Sequence, residues 1–169
     1  LLLLMGASVS SAEDARDYHI SSYRMDAGIQ PDGSIVVRED ITYSFSGHFN
    51  GVLRDIAVSP ADGIVLHRVG LVQAGGELLE FTKDSGAFSS DSGTRGTYRE
   101  DSSGGKLRLK LFQPSDSETR TFVYEYTLDN AVLCYDDIAE FYWKMIGTEW
   151  TVMLGGIDIV IRLPEGASR

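Results

Sequence analysis

The feature that most constrains the fold of this chain is an alternation of apolar and polar residues with a period of two. In the plainest run, residues 106–111, a leucine follows a basic residue three times in succession. Residues 121–128 carry an aromatic or aliphatic side chain at every second position. Successive side chains of a strand point to opposite faces, so this pattern predicts strands with one face in a core and the other in water.

The alternation recurs along most of the chain, and segments rich in Gly, Ser and Asp separate the runs. It predicts strands at residues 18–29, 34–45, 64–73, 77–82, 94–100, 106–111, 121–128, 150–154 and 157–163. The tripeptide Pro31-Asp32-Gly33 favours a turn that closes a hairpin between the first two strands. About eight to ten short strands without crossover helices predict an all-β fold, an antiparallel β-sandwich of immunoglobulin-like character.

Residues 136–147 are the segment in which a helical pattern competes with a strand. Ile138, Phe141 and Tyr142 fall at helical spacing, and Gly147 would terminate such a helix. The same segment contains three consecutive aromatic residues ending at Trp143, a composition that favours a strand. We predict a strand here.

Charge and cysteine content exclude several classes of partner and site. The 15 Lys and Arg residues are outnumbered by 25 Asp and Glu residues, which gives a formal net charge of −10. The chain therefore lacks the basic footprint of a nucleic-acid-binding protein, and we predict no nucleic-acid partner. The single cysteine, Cys134, excludes an internal disulfide. No base or cation adjoins it in the sequence, so we predict a packed, unreactive thiol.

The first residues have the pattern of a secretory signal. Residues 1–9 are uncharged and mostly apolar, and small residues follow at Ser10, Ser11 and Ala12. Small residues before a cleavage site are typical of a signal peptide, and the run is too short to span a bilayer. We interpret residues 1–12 as the remainder of a signal peptide and residues 13–169 as a single extracytoplasmic β-sandwich domain.

One charged residue breaks the alternation. In the strand 34–45 the apolar phase includes Ile35, Val37 and Ile41, and Glu39 lies in the same phase. An unpaired carboxylate that points into a core costs several kcal/mol, so a cationic partner is needed. Arg54 is the nearest candidate after the strand has turned, and we predict a structural Glu39–Arg54 ion pair. The alternative places Glu39 at the rim of the sandwich, where its carboxylate reaches water.

The sequence carries no recognisable catalytic or metal-binding motif. The histidines lack the close spacing of metal ligands. They are His19, His48 and His67. Acidic side chains in loops offer oxygen ligands for calcium, but those of this chain lack the spacing of a calcium loop. They are Asp91, Asp101, Asp136 and Asp137. We therefore predict no catalytic residue, no cofactor and no metal.

The tryptophans allow a structural and a functional interpretation. Trp143 and Trp150 follow one another closely in an aromatic segment. Exposed tryptophans on a β-sandwich can form a platform for a sugar or a protein. The structural interpretation, which we favour because large aromatic residues are buried on average, makes both residues core anchors on adjacent strands.

Several blocks of the sequence resemble a known family. They are residues 28–45, which read GIQPDGSIVVREDITYSF, residues 49–56 with the G-x-x-R-x-I pattern, residues 135–147, Trp150, and the closing Ile161-Arg162-Leu163-Pro164. Together these blocks are similar to the DUF2207 family of predicted bacterial membrane proteins, and the resemblance extends over residues 18–164. It implies an extracytoplasmic β-rich domain followed by transmembrane helices, and it implies no activity.

These observations favour a non-enzymatic interaction or binding domain, extracytoplasmic and anchored to the cell membrane. Its partner would be a protein or an envelope glycan. Two alternatives remain at this stage. One is a sensor that couples ligand binding to membrane helices, for which a pocket near Pro164 is expected. The other is an enzyme that acts on envelope glycans through paired carboxylates.

Overall fold

The computed structural model describes residues 16–147 and 150–167, and this part of the chain contains twelve strands and no helix. The strands are β1 (Asp17–Ile29), β2 (Ile35–Ser46), β3 (His48–Ala57), β4 (Gly63–Val72), β5 (Leu78–Glu80), β6 (Thr82–Lys83), β7 (Thr97–Ser103), β8 (Lys106–Asp116), β9 (Thr119–Asp129), β10 (Val132–Cys134), β11 (Ala139–Phe141) and β12 (Leu154–Arg162). The all-β prediction is confirmed. The predicted signal peptide, residues 1–12, lies outside the described residues.

Two sheets form the body of the fold. The larger sheet has six strands in the order β12-β1-β2-β9-β4-β5, and the smaller has four in the order β3-β8-β7-β6. One cluster of buried side chains joins them, with contributions from β1, β2, β4 and β9 of the larger sheet and from β3 and β8 of the smaller. The two sheets thus share one core, as a β-sandwich requires. Strands β10 and β11 form a separate two-stranded hairpin.

The period-two pattern places its apolar phase in the core. Strands β2, β8 and β9 each bury every second side chain, and these strands supply much of the interior. Their buried residues include Ile35, Val37, Ile41, Leu107, Leu109, Leu111, Phe122, Tyr124, Tyr126 and Leu128. Complete burial of one such side chain contributes about 1.5–3 kcal/mol, so the alternation alone supplies most of the driving force for closing the sandwich.

The predicted turn between β1 and β2 is present. Gly33 adopts a φ of 81°, which glycine reaches without steric cost, and its N–H donates to the carbonyl oxygen of Gln30 at 3.0 Å. The Asp32 carboxylate accepts hydrogen bonds from the hydroxyl and the backbone N–H of Ser34, at 2.7 and 3.0 Å. These two bonds lower the pKa of Asp32. Local side-chain chemistry therefore fixes the register of the first hairpin.

Two strand pairs are parallel, where the sequence predicts antiparallel neighbours. β12 pairs with β1 in parallel, and β6 pairs with β7 in parallel. Alternation specifies which face of a strand is buried, but it carries no information on the direction of the neighbour. β12 adds to the edge of β1, with Tyr23 opposite Ile157 and Met25 opposite Ile159.

The strand predicted at residues 77–82 is divided between the two sheets. β5 pairs with β4 of the larger sheet, whereas β6 pairs with β7 of the smaller sheet. The buried side chain of Phe81 stands between them and packs edge-on against Phe122. A chain that crosses from one sheet to the other needs such a corner, and a run of alternating residues does not reveal it.

The C-terminal predictions need three corrections. Within residues 136–147 only Ala139–Phe141 forms a strand, and the strand predicted at residues 150–154 begins only at Leu154. Cys134 is exposed, contrary to the packed thiol that we predicted. It ends β10, and the small β10–β11 hairpin pairs with neither main sheet, so no second layer covers that position.

A network of charges covers the outer face of the larger sheet. Glu125 on β9 lies in register with Arg38 on β2 and with Arg68 on β4. Its carboxylate accepts hydrogen bonds from Arg38 Nη1 at 2.8 Å and from Arg68 Nε at 2.6 Å. The hydrogen bonds and charge of Arg68 and Arg38 lower the pKa of Glu125. Cross-strand pairs of opposite charge stabilise neighbouring strands, so this network joins β2, β9 and β4.

We expect the Glu125 network to make stability depend on pH. Because the pKa of Glu125 is lower in the folded state, its contribution is complete above the unfolded value of about 4.3 and is lost as pH falls further. Glu125→Gln should remove that component, so the variant should lose less free energy of unfolding between pH 7 and pH 3 than the wild type. Urea unfolding at both pH values measures the difference, and equal losses would contradict the assignment.

Candidate functional site

The predicted residues Glu39 and Arg54 lie in direct contact between the two sheets. Arg54 donates from Nε to Oε2 of Glu39 and from Nη2 to Oε1, both at 2.8 Å. Glu39 is 0% exposed and Arg54 is 7% exposed. The hydroxyl of Tyr126 donates a third hydrogen bond to Oε1 at 2.7 Å. The carboxylate therefore lies in the core, and the rim alternative does not hold for Glu39.

The strand register explains why these groups meet. Glu39 lies on β2, with Met25 of β1 and Tyr124 of β9 opposite it, which places it in the interior of the larger sheet. Arg54 lies on β3, an edge strand of the smaller sheet, opposite Leu109 of β8. Both side chains occupy the inward phase of their strands. The two sheets face each other, so the pair forms an ionic link across the sandwich.

The buried charges of Glu39 and Arg54 stabilise each other. Burial acts to lower the pKa of Arg54, but the charge and hydrogen bonds of Glu39 outweigh it, and the pKa lies above its ordinary value. Burial and then the negative charge of Glu39 raise the pKa of Tyr126. Arg54 also donates from Nη1 to the carbonyl oxygen of Asp55 at 2.6 Å. Guanidinium and phenol thus both stay protonated, and the carboxylate has three donors.

Trp150, one of the two predicted binding aromatics, belongs to this cluster. The guanidinium carbon of Arg54 lies 5.1 Å from the centroid of the Trp150 ring, within the range of a cation–π contact. The indole also packs edge-on against Tyr23, with ring centroids 6.0 Å apart. Trp150 is half-buried. The fold therefore joins two features that the sequence presents more than 90 residues apart.

A cavity of about 260 Å³ opens beside this cluster. Its walls combine aromatic and charged side chains from both sheets and from the segment that precedes β12. They are Tyr18, Tyr43, Leu53, Arg54, Asp55, Arg108, Trp150 and Thr151. The ion pairs of Arg108 are long, with Nε 3.7 Å from Asp55 and Nη1 3.8 Å from Asp101, and its guanidinium carbon lies 5.0 Å from the centroid of the Phe88 ring. Arg54 is bound to Glu39 at 2.8 Å, so Arg108 is the less tightly paired of the two arginines in the wall.

Trp143 does not line the cavity beside Arg54, and its side chain packs against the core. It is half-buried and packs against the core, but it lies outside any strand. Its indole N–H is buried without a hydrogen-bond partner among the described residues. Trp143 and Trp150 are therefore both core-contacting residues, as the structural interpretation has it. They do not sit on adjacent strands, because residues 142–147 and 150–153 lie outside any strand.

A second groove, of about 550 Å³, lies at the end of β12. Its lining includes apolar side chains of the β1–β2 turn region and of the segment after β12, together with two arginines. Among them are Ile29, Pro31, Val36, Arg38, Arg162, Leu163 and Pro164. Arg162 donates to the Asp26 carboxylate at 2.6 Å. The groove is thus placed where the sensor alternative expects one.

The other candidate groups are dispersed or engaged. In residues 16–147 and 150–167 no three His, Cys, Asp or Glu residues are arranged to hold a metal ion. His48 contacts Asp116 and Asn50, and the Asp116 hydrogen bond raises the pKa of His48. Asp91 pairs with Lys110 at 2.8 Å, which lowers the pKa of Asp91. His48 and Asp91 are therefore each paired with a group of opposite charge within the protein.

Sequence reasoning missed two members of the site. Tyr126 lies in the inward phase of β9, so its hydroxyl is buried and needs a hydrogen-bond partner. The alternating pattern could therefore have predicted Tyr126 as a donor to the buried carboxylate. Arg108 alternates with leucines on β8, and nothing in that run distinguishes it from an ordinary solvent-facing base. Only the position of β8 beside β3 brings Arg108 to the cavity.

We expect Glu39→Gln to destabilise the protein strongly. The change leaves the Arg54 charge buried without its counter-ion, a loss that costs about 3–5 kcal/mol when one partner of a buried pair is removed. Urea unfolding at neutral pH measures the free energy of unfolding.

Glu125→Gln is the matched control, because it removes a carboxylate with two arginine partners from the outer face of the adjacent strand. Its partners are partly exposed, so it should cost less than about 1 kcal/mol. Similar losses for the two variants would contradict a core role for Glu39. Replacing Glu39, Arg54 and Tyr126 together by Leu, Met and Phe should recover most of the stability, because no buried polar group is then left unpaired.

No helix in the described residues is long and apolar enough to cross a membrane.

Among solved structures, the chain is similar to an M1 zinc metallopeptidase from Deinococcus radiodurans, with 11% identity and a TM-score of 0.40 over 66% of this chain and 20% of that one. It is similar to the same extent, at 10% identity and a TM-score of 0.40, to a two-domain M1 zinc metallopeptidase mutant bound to L-tryptophan, again over 66% and 20% of the two chains. The chain spans about a fifth of the length of these proteins, and at such values the likeness carries no argument about activity.

The sequence matches no curated protein. It does match one family model, described as the N-terminal domain of a predicted membrane protein, DUF2207, over residues 19–169. This range contains the buried Glu39–Arg54 pair, the groove at the end of β12 and every described strand apart from the first two residues of β1. It also contains the lining of the cavity beside Arg54, with the exception of Tyr18. The chain therefore belongs to the DUF2207 family and carries its N-terminal domain.

Proposed function

We propose that this chain is a non-catalytic binding domain of a membrane-anchored protein and that it acts outside the cytoplasm. Its family is described as a predicted membrane protein, which supports membrane association. The apolar start of the sequence supports export. The observation that carries the binding role is the cavity beside Arg54, whose lining includes Trp150 and Arg108.

The lining of this cavity indicates a small anionic ligand with a flat apolar face. The ion pairs of Arg108 with Asp55 and Asp101 are long, and its guanidinium otherwise faces the Phe88 ring, so a carboxylate can compete for its N–H donors. The indole of Trp150 offers an aromatic surface of the kind that packs against a sugar ring. An acidic sugar of the cell envelope combines both properties, and we propose that ligand class.

Two features support a binding role over catalysis. Among the described residues, the carboxyl groups with a displaced pKa are all displaced downward, by hydrogen bonds or a basic partner, whereas a general acid needs a raised pKa. These groups are Asp32, Asp84, Asp91 and Glu125. Glu39, the buried carboxylate, is already occupied by Arg54 and Tyr126. A glycosidase would require two facing carboxylates that are free to act.

Thermal unfolding with oligogalacturonate, an acidic sugar probe, tests the proposal. Ligand that binds the folded state alone stabilises it by about 2.7 kcal/mol at a concentration one hundred times the Kd, so the Tm should rise. A neutral oligosaccharide of equal length should leave the Tm unchanged. Arg108→Gln should abolish the rise produced by the acidic probe.

Arg68→Gln is the matched control, since Arg68 and Arg108 have side chains that are each 42% exposed, but Arg68 lies on the outer face of the larger sheet. The Arg68 variant should respond to the acidic probe as the wild type does. An unchanged Tm in the wild type, or an equal rise in the Arg108 variant, would refute this binding site.

A second candidate function, ligand sensing, is favoured by the groove beside Pro164. That groove adjoins the segment that leaves β12, through which binding would have to act on any membrane-spanning part. Sensing, unlike plain binding, requires the segment 163–167 to respond to a ligand. Hydrogen exchange with and without the acidic probe distinguishes the two: altered exchange in this segment favours sensing, and unaltered exchange favours plain binding.

A further inference from the structure

The outer strand of the larger sheet, β12, has an open edge. It pairs with β1 on one side, and in the described part of the chain no strand pairs with its other side. The strand has nine residues, Leu154–Arg162, and contains no proline. A long edge strand exposes a row of unpaired N–H and C=O groups, which is a template for another strand.

The side chains of β12 make this edge unusually apolar for a surface. Ile157, Ile159 and Ile161 lie in register with Tyr23, Met25 and Ala27, so they point to the core side of the sheet. Ile157 and Ile161 are nevertheless exposed, because the four-stranded sheet covers only part of the larger one. On the opposite face Val160 is also exposed, between Asp158 and Arg162.

The other edges of the two sheets are better protected. β5 and β6, which end their sheets opposite β12 and β3, are only three and two residues long. β3 is long, but its register shifts between Phe49 and Gly51, and Trp150 packs over its Arg54. At Gly51 a side chain would overlap the carbonyl oxygen of Leu111, so this bulge requires glycine. The register of β12 on β1 has no shift, and within residues 16–147 and 150–167 no strand pairs with its free edge.

The charges of β12 are complementary to those of a second, antiparallel copy. If Val160 lies opposite Val160 of the second copy, Asp158 lies opposite Arg162 and Ile159 lies opposite Ile161. Shifting this register by two residues in either direction places Val160 opposite Asp158 or Arg162 instead. Asp158 and Arg162 keep 60% and 65% of their side chains exposed despite their pairs with Arg24 and Asp26. Each therefore has room for a second partner.

We propose that the domain forms a symmetric dimer by antiparallel pairing of β12 with β12 of a second copy, about a two-fold axis at Val160. The pairing extends the six-stranded sheet into one of twelve strands and covers the exposed isoleucines. Two ion pairs between Asp158 and Arg162 flank the axis. This surface is separate from the cavity beside Arg54, so the dimer goes beyond the proposed binding function.

The dimer should be weak and dependent on concentration. One pair of strands buries less surface than a standard interface, and each copy carries a net charge of −10. At about 0.15 M salt, charges more than about 8 Å apart are largely screened, while the short contacts across the axis persist. Association is therefore best measured at that ionic strength over a wide range of protein concentration.

Sedimentation equilibrium of the 169-residue chain tests the proposal. The mass should rise with concentration from 18.5 kDa toward twice that value. Val160→Lys places two like charges on the axis and should leave the protein monomeric. Val65→Lys is the matched control, since Val65 is 49% exposed and Val160 is 40% exposed, but Val65 lies on β4. The control should still dimerise.

A cysteine at the axis keeps the test independent of folding defects in the lysine variant. Opposite Cα atoms in an antiparallel pair are about 4.5–5.5 Å apart, within the range of about 4.4–6.8 Å that a disulfide spans. In a Cys134→Ser background, Val160→Cys should form a disulfide-linked dimer much faster than Val65→Cys. Equal rates, a wild type that stays monomeric at every concentration, or a dimer that survives Val160→Lys would overturn the proposal. The edge would then be open to a strand of another protein.

Discussion

The ion pair between Glu39 and Arg54 is the interaction on which the arrangement of the domain depends. A carboxylate at 0% exposure has no water to solvate it, so the core must supply every hydrogen bond that it requires. Arg54 supplies two and Tyr126 supplies one. A buried pair of this kind adds little net stability compared with apolar residues of similar volume, but it tolerates no misalignment, because either partner alone would be a buried charge. The pair therefore fixes the position of β3 over β2, and with it the alignment of the two sheets.

The candidate binding site follows from that alignment. Arg54 contacts the ring of Trp150 and so holds the segment that precedes β12 against the sandwich. Trp150, Thr151 and Arg108 of β8 all line the cavity beside the pair. The structural ion pair and the proposed recognition surface thus share Arg54. After residue 153 the chain forms β12 at the edge of β1, where its apolar side chains remain partly exposed.

How far the sequence predicts this structure can be judged from particular elements. The inward positions of β2, β8 and β9 follow directly from alternation, and the turn at Gly33 follows from its residue types. The parallel direction of β12, the crossing of the chain at Phe81 and the exposure of Cys134 do not follow. Each of these depends on which strand or layer lies next to the residue, and a local pattern contains no such information. The contact between Trp150 and Arg54 does not follow either, because Trp150 lies outside any strand and the alternating pattern does not place it.

Sequence alone determined the fold class, the family and the identity of the buried carboxylate, because a period of two fixes which face of each strand is buried and reveals a charged residue that falls in the apolar phase. Tertiary structure decided what surrounds that charge: a bidentate arginine from the other sheet, a tyrosine hydroxyl and a tryptophan ring. It also decided that β12 ends the larger sheet with a free, apolar edge. The buried face of a strand can be predicted from a residue and its neighbours in the chain. The partners of a buried residue and the edges of a sheet are set only when strands distant in the sequence come together.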